Sequence, residues 1–239
     1  MLIKNDLKYS NLKEKVKSVK SIKYQFTSNF NLIDKDMNCY DIDKSNICFY
    51  DRNGYILKDI SYDSNYKIVF KLCYHYNLEE NRVIWKQYTR NDLLFKTYRK
   101  YNEVENLEEE AMYLQNGKLH CRFVNKYNNN TNKIESICFD EEGIMVFKEL
   151  FKYDNNGNNN ETIFLDYDEC YEGKLSSIYN YYGDISEMFL YDANNTLIEL
   201  KKYKYIYDQY DNWIKRTEYI YENKLLKNLT IINRNIKYY

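Results

Sequence analysis

The stretch YDQYDNWIKRTEYIYENKL, residues 207–225, contains the unit that decides the fold. A Tyr-Asp pair leads into a short polar segment, and a strand-like run begins at Trp213. Asp and Asn favour turns because their side chains bond nearby backbone amides, whereas Tyr, Trp and Ile favour strands. The stretch therefore predicts a strand, a tight turn and a second strand.

The same unit recurs along most of the chain. Turn-like segments such as YDRNGYI, FDEEGIM and YDNNGNN contain Gly, and Gly-free equivalents such as YDSNYKI and YDANNTLI lie between them. Turn centres from residue 53 to residue 223 are about 13 residues apart, which is one strand plus one turn. Short turns predict antiparallel neighbours, and a sheet of many strands must twist or curl. We expect an all-β fold, an elongated or curved antiparallel meander of stacked β-hairpins in a solenoid-like array.

This pattern predicts a single β-repeat domain over residues 1–239. Residues 1–44 are expected to form an N-terminal cap and the first strands, 45–225 the hairpin repeats, and 226–239 a C-terminal capping strand. Two stretches fit less well. Leu12, Val16 and Val19 have helical spacing, and residues 103–114 are acidic with weak alternation, typical of a helical turn or a long hairpin tip.

The composition limits the classes of partner and location. The chain has 29 Tyr and no Pro, and its 35 basic and 36 acidic residues leave a net charge of −1. This balance gives no electrostatic reason to bind nucleic acid or an anionic membrane. Neither a secretory h-region nor an apolar run of about 18 residues is visible. We therefore expect a cytoplasmic protein, secreted only if a signal peptide has been trimmed.

No motif predicts catalysis, a metal or a cofactor. His75 and His120 lie outside any nucleophile or metal motif, and YDNNGNNNE lacks the spacing of an EF-hand loop. The six cysteines are far apart and are expected to be free thiols. Five aspartates that follow an aromatic residue at the entrance of a turn are expected to accept backbone hydrogen bonds there; these are Asp51, Asp140, Asp154, Asp192 and Asp208. We predict that the protein is not an enzyme.

Three segments resemble a known family of repeats. YDRNGYILK, FDEEGIMVFKELFKYDNNGN and YKYIYDQYDNWIKRTEY are similar to the YD repeats of Rhs-like bacterial proteins, above all the short Bacteroidetes type. YENKL and LQNGKL carry a weaker likeness to the MORN-like antitoxin family. The resemblance covers most of residues 45–239, although Asp211 stands where the family usually has Gly and residues 74–110 barely match. It implies an all-β array of stacked hairpins.

Three functional hypotheses follow from these observations. The first is a protein-binding repeat module, most concretely a cytosolic immunity or antitoxin-like protein that binds and blocks a toxin domain. The alternative is a carbohydrate-binding or surface scaffold protein. The third is an enzyme with a cleft on the concave face of the sheet.

A partner-binding surface is predicted near the C-terminus. Trp and Tyr are enriched at interface hot spots, and strand-like alternation places three tyrosines on one face. The candidate residues are Tyr203, Tyr205, Tyr207, Trp213 and Tyr219. Trp213 also fits a role as a core anchor for the last repeat.

Overall fold

Consecutive antiparallel strands form a closed barrel in which the last strand pairs with the first. The computed structural model describes residues 6–26, 40–77, 79–80, 82–89, 92–102 and 106–239. A short helix, α1 (Asp6–Tyr9), precedes the strands. The strands are β1 (Val16–Phe26), β2 (Tyr40–Tyr50), β3 (Ile56–Asp63), β4 (Ile68–Asn77), β5 (Arg82–Thr89), β6 (Asp92–Tyr101), β7 (Leu107–Leu114), β8 (Leu119–Tyr127), β9 (Lys133–Phe139), β10 (Met145–Tyr153), β11 (Asn159–Leu165), β12 (Tyr171–Tyr179), β13 (Ile185–Asp192), β14 (Leu197–Tyr207), β15 (Trp213–Glu222) and β16 (Leu225–Tyr238).

Closure of the barrel corrects the expected open meander or solenoid array. β1 pairs with β16 along its length, with Val19 opposite Ile236, and it pairs on its other side with β2. The two terminal strands were expected to cap separate exposed edges. They bond to each other instead, because an unpaired edge leaves a row of backbone donors and acceptors without partners.

The turns carry the side-chain chemistry expected from the sequence. The carboxylate of Asp208 accepts hydrogen bonds from the backbone amides of Tyr210 and Asn212, at 2.9 and 3.0 Å. Asp51, Asp140, Asp154 and Asp192 make the same pair of bonds to the residues two and four positions later. The prediction that these aspartates make turns is confirmed. The turn centres predicted near residues 91 and 104 lie outside the described residues.

A one-residue bulge follows most turns and explains the irregular alternation of the sequence. Tyr207 pairs with Trp213 while Ile206 pairs with Lys215, so Ile214 has no partner residue on β14. The β12–β13 pairing skips Ser186 in the same way. An extra residue reverses which side chains face inward, so simple alternation fails across it.

Tyrosine hydroxyls fasten the hairpins at one end of the barrel. Tyr127, Tyr153, Tyr179 and Tyr205 recur every 26 residues, and each hydroxyl donates to a backbone carbonyl 20 residues earlier. These bonds measure 2.7–2.8 Å. Each one extends the pairing of two adjacent strands beyond their last backbone bond.

The N-terminal segment crosses this same end of the barrel and contacts both sides of the closing seam. The Asp6 carboxylate accepts hydrogen bonds from the Ile56 amide and the Tyr76 hydroxyl, at 2.8 and 2.7 Å. The Asn11 side chain donates to Asp184 at 2.9 Å, and the Lys13 amide donates to Asn212 at 2.6 Å. The cap thus links β3 and β4 to the turns before β13 and β15.

The structure describes one of the two stretches left open by the sequence in full and the other from residue 106 onward; residues 103–105 lie outside the described residues. The helical spacing of Leu12, Val16 and Val19 does not produce a helix there, because helix α1 ends at Tyr9 and β1 begins at Val16. These three apolar side chains are buried with Leu7, Cys48 and Tyr50. The acidic stretch 103–114 contains β7, whose residues 107–114 pair with β6 and β8.

The closed sheet has an interior, here called the lumen. Inward-facing strand residues such as Tyr203, Tyr205 and Glu149 are half-buried. Within the described part of the chain, no helix is long and apolar enough to cross a membrane.

We expect Asn212→Ala to lower the free energy of unfolding by about 2 kcal/mol, because it leaves buried backbone groups of the cap unpaired. Asn212 is fully buried, and its amide bonds both the N–H and the carbonyl of Lys13 as well as the Tyr238 hydroxyl. Urea unfolding measures the change. Asn132→Ala is the matched control, since Asn132 holds the same position in the β8–β9 turn. Equal losses in both variants would show that the cap adds no stability.

We expect Thr131→Gly to raise the free energy of unfolding by about 0.5–1 kcal/mol. Thr131 has a φ of 62°, a left-handed conformation that is costly for a β-branched residue. Gly157 holds the equivalent position with a φ of 81° and open space around its Cα. Gly157→Ala should therefore lose a similar amount, and thermal unfolding of both variants tests the pair. A destabilised Thr131→Gly would contradict the expectation.

Candidate functional site

A row of tyrosines on β14 faces the lumen. Tyr203, Tyr205 and Tyr207 are half-buried and alternate with the exposed residues Lys202, Lys204 and Ile206. Their ring centroids are 6.4 Å apart between Tyr203 and Tyr205 and 5.8 Å apart between Tyr205 and Tyr207. Such spacing allows offset ring contacts along one strand.

Trp213 joins this row from β15. Its ring centroid is 6.0 Å from that of Tyr205, and the residue is 6% exposed. The structure therefore brings together four of the five residues that the sequence predicts for a partner-binding surface. Trp213 also serves as a buried anchor, as the alternative interpretation proposed.

Tyr219, the fifth candidate, lies on the outer wall. The Lys204 ammonium is 5.6 Å from its ring centroid, and Lys204 belongs to the exposed face of β14. Tyr219 is thus separated from Tyr203 and Tyr205 by the sheet itself. It cannot contact a ligand that the lumen-facing tyrosines contact.

Two arginines that the sequence pattern does not predict complete the lumen cluster. The Arg216 guanidinium lies 5.3 Å from the Tyr203 ring centroid and 5.2 Å from that of Trp213. The Arg234 guanidinium lies 3.3 Å from the Trp213 centroid. Trp213 therefore has a guanidinium from its own strand and another from β16 against its ring.

The bulge at Ile214 explains why the sequence does not predict that Arg216 faces the lumen. Residues three apart on a regular strand face opposite sides, which would place Arg216 on the opposite wall from Trp213. The unpaired Ile214 reverses the phase and turns both side chains into the lumen. Arg216 is opposite Ile232 in the β15–β16 pairing. Arg234 is two residues after Ile232 and therefore lies on the same face of the sheet as Arg216. No local signal in the sequence shows this juxtaposition.

The two arginines have unequal electrostatic partners. Arg216 forms an ion pair with Glu218 at 3.6 Å. Among the described residues, the buried Nε and Nη1 of Arg234 have no hydrogen-bond acceptor. Burial, followed by repulsion from Arg216, lowers the pKa of Arg234 to about 10. Arg234 remains a cation at neutral pH.

The tyrosines of the cluster remain neutral hydrogen-bonding groups. Burial raises the pKa of Tyr205 to about 12, against the opposing effect of the Arg216 cation. Burial also raises the pKa of Tyr203 and of Tyr207. The Tyr207 hydroxyl donates to Asp184 at 3.0 Å and accepts from Asn180 at 2.8 Å. The tyrosines of this wall thus present neutral rings and neutral hydroxyls.

A second tryptophan in the lumen has a similar setting but a different charge balance. Trp85 on β5 lies 6.3 Å from the Tyr74 ring and 5.9 Å from the Arg99 guanidinium. Arg99 is paired with Glu110 through a direct hydrogen bond. This cluster supplies its own counterion, whereas Arg234 has no equivalent carboxylate bonded to it in the described chain.

The histidines, the calcium-like stretch and the cysteines form no second candidate site in the described ranges. His75 and His120 are both exposed, and no group of three or more metal-ligating His, Cys, Asp or Glu side chains occurs in the ranges that the structure describes. Asp154 of the calcium-like stretch accepts bonds from its own turn, and Glu161 pairs with Lys152 and Lys174. Cys48, Cys73, Cys121, Cys138 and Cys170 are free thiols, as expected. Cys39 lies outside the described residues.

A groove of about 580 Å³ lies at the opposite end of the barrel from the cap. Its lining includes Leu197, Ile198 and Leu200 together with Lys202 and Lys224. Lys202 belongs to the exposed face of β14, so the groove opens on the outer wall and is separate from the lumen cluster. We take the lumen cluster as the candidate site because rings and charged groups converge there.

Comparison with known proteins supports the barrel and little beyond it. No protein-family model and no curated protein matches the chain. A porin-like protein from Bacteroides uniformis has a TM-score of 0.62 at 9% identity, covering 94% of this chain and 98% of that one. A porin-like protein from Bacteroides vulgatus has a TM-score of 0.35 at 13% identity, with coverages of 94% and 98%. The first shows a shared fold, and no argument rests on the second.

The expected family is wrong. The chain is similar in fold to a porin-like barrel and not to a YD or Rhs repeat array or to a MORN-like antitoxin. The Tyr-Asp segments that suggested the resemblance are bonded turns with a residue of positive φ, as at Asp208 and Asp211. A hairpin with this turn favours the same residue types, so turn chemistry accounts for these segments.

Two further expectations are wrong because they depended on the repeat resemblance. The immunity or antitoxin-like function rested on the repeat resemblance, and the porin-like barrel overturns it. The cytoplasmic location is wrong for the same reason, since the similar solved structure is a porin-like protein. The alternative, a carbohydrate-binding or surface scaffold protein, agrees better with a barrel.

We expect Arg234→Met to raise the free energy of unfolding by about 1 kcal/mol. The Nε and Nη1 atoms of Arg234 are buried and have no acceptor among the described residues, so an apolar side chain of similar length removes both the cost of desolvation and the repulsion from Arg216. Arg99→Met is the matched control and should cost about 2 kcal/mol, because it leaves Glu110 without its counterion. Urea unfolding separates the two. A loss at Arg234 as large as that at Arg99 would mean that Arg234 is a structural residue.

Proposed function

We propose that the protein is a non-enzymatic binding protein that holds a carbohydrate in the lumen of its barrel. One observation carries the proposal: Tyr203, Tyr205 and Tyr207 line one lumen wall near the closing seam, with the buried Trp213 packed against Tyr205. A site of this kind combines apolar ring faces with a few placed polar groups, which is typical of small-molecule sites.

The chemistry of the wall suits a sugar ring. Aromatic faces contact the apolar C–H face of a pyranose, and the phenol hydroxyls at the ring edges can exchange hydrogen bonds with sugar hydroxyls. Tyr203 is the most suitable platform because, in the part of the chain that the structure describes, its hydroxyl makes a single long contact, 4.0 Å, to the sulfur of Met188. Tyr205 and Tyr207 use their hydroxyls within the wall, and Tyr207 has one ring face stacked on Tyr182 at 4.0 Å.

The outer wall supports a barrel that stands in water. Charged pairs cross between neighbouring strands around the barrel, including Lys126–Glu135 at 2.5 Å, Lys152–Glu161 at 2.6 Å and Lys202–Glu187 at 3.1 Å. A lysine facing lipid at the centre of a bilayer costs about 2–4 kcal/mol. The proposal therefore takes the barrel shape of a porin-like protein without its membrane setting, and it implies a location at the cell envelope or outside the cell, where glycans are met.

The absence of an enzymatic role is part of the proposal. The aspartates that recur along the sequence are bonded to their own turns, and Glu218 and Glu110 are paired with Arg216 and Arg99. A carboxylate held by a cation or by backbone amides is a poor general base at neutral pH.

The test is glycan-array screening of the full chain, followed by titration of the strongest binder with tryptophan fluorescence. Tyr203→Ala should weaken binding about 10-fold, because loss of one stacking ring costs about 1 kcal/mol or more. Tyr219→Ala is the matched control: it removes a Tyr from the outer wall of the same strand pair and should leave affinity unchanged. Equal effects of the two variants, or no glycan bound at all, would overturn the proposal.

A further inference from the structure

We propose that Arg216 and Arg234 form an anion site in the lumen, so that the ligand carries a carboxylate or sulfate group beside the ring that stacks on the tyrosines. The anion site rests on the geometry around Trp213. That its ligand is an acidic carbohydrate rests in addition on the proposed function.

Both guanidinium groups contact the ring of one tryptophan. Arg216 lies 5.2 Å and Arg234 lies 3.3 Å from the centroid of the Trp213 ring. Because Arg216 is opposite Ile232 in the β15–β16 pairing, Arg234 is its diagonal neighbour on the same face of the sheet. Two cations are thus fixed on adjacent strands within the lumen.

Two neighbouring cations in the lumen are unfavourable unless an anion neutralises their charge. Like charges that are close in a partly dry interior repel, and buried N–H groups without acceptors cost free energy. Glu218 compensates Arg216 in part, at 3.6 Å. Within the described ranges, Nε and Nη1 of Arg234 have no acceptor. A bound anion would supply the missing charge.

The nearest carboxylate does not fill this role. Asp184 is close enough to act electrostatically on Arg234. However, its oxygens accept hydrogen bonds from the Asn11 amide at 2.9 Å and from the Tyr207 hydroxyl at 3.0 Å. Asp184 is therefore committed to fastening the N-terminal cap, and the described contacts include no ion pair between it and Arg234.

The cluster around Trp85 contains an arginine whose charge is neutralised by a carboxylate of the same chain. Arg99 also lies against a tryptophan and near a tyrosine, and it is bonded directly to Glu110. In that cluster a carboxylate of the barrel itself, Glu110, neutralises the arginine. Among the described residues no carboxylate is bonded to Arg234, which points to a partner that comes from outside the chain.

The chemistry of the pair selects the ligand class. A guanidinium binds carboxylate, sulfate and phosphate oxygens through paired N–H donors, and such charge-assisted bonds are about twice as strong as neutral ones. The ring of Tyr203 lies 5.3 Å from the Arg216 guanidinium, which suits a sugar ring with its acidic substituent pointing towards the arginines. Uronic acids and sulfated sugars share this chemistry.

The experiment is calorimetric titration of the full chain with matched acidic and neutral probes. Oligogalacturonate is compared with its methyl ester, and a chondroitin sulfate oligosaccharide with its desulfated form. Sulfate and acetate ions are titrated alone, and the two acidic oligosaccharides distinguish a carboxylate ligand from a sulfate ligand. We expect an acidic probe to bind at least 10-fold more tightly than its neutral counterpart.

Two variants assign the effect to the arginine pair. Arg234→Met should abolish the preference for the acidic probe and the binding of the free anion. Arg122→Met is the control, because Arg122 also contacts a ring, that of Phe139 at 5.3 Å, and is opposite Phe139 in the β8–β9 pairing, away from the Trp213 cluster. Near-UV circular dichroism of each variant checks that the aromatic wall is intact.

The outcomes separate this inference from the proposed function. Equal binding of acidic and neutral probes, both weakened by Tyr203→Ala, would overturn the anion site and leave the carbohydrate function standing. Binding of sulfate or acetate that Arg234→Met abolishes, without binding of any glycan, would support the anion site and overturn the carbohydrate function. An acid preference that survives in Arg234→Met would overturn the inference, and binding of no probe would overturn both.

Discussion

The pairing of β1 with β16 is the constraint on which the rest of the structure depends. It joins strands from the two ends of the chain, and it removes both free edges of the sheet at once. The same contact creates the lumen, because only a closed sheet has an inside. The N-terminal cap reinforces the seam through Asn212, which holds both backbone groups of Lys13. These contacts have high sequence separation, so the lumen exists only once the whole chain has folded.

Closure also decides where charge is tolerated. The outer wall carries lysine–glutamate pairs that water solvates, and the lumen carries arginines that rest on tryptophans. The two tryptophan clusters differ in one respect that matters. Arg99 has Glu110 as its counterion, while Arg234 approaches Arg216 and has no bonded carboxylate among the described residues. A cation without a bonded counterion lowers the stability of a fold, and such groups are common at binding sites.

Much of the local structure could be predicted from particular residues. Asp208 and its equivalents identify the turns, since a carboxylate that bonds the next amides is a local interaction. The alternation of Lys202, Lys204 and Ile206 with three tyrosines places Tyr203, Tyr205 and Tyr207 on one face. Prediction failed at Tyr219 and Arg216, where the bulge at Ile214 reverses the alternation. The repeat resemblance failed because it compared turn residues, which many unrelated hairpins share.

The sequence by itself determined the strands, the turns and the antiparallel order, because these depend on side chains that act within a few residues of their own position. It also determined that one face of β14 would be aromatic. Only the tertiary structure decided that the sheet closes, that this aromatic face looks into a lumen, and that Arg234 meets Trp213 and Arg216. The physical reason is register: whether a sheet curls past its first strand, and which side chains then meet, depends on the sum of many small twists and bulges that no short stretch contains.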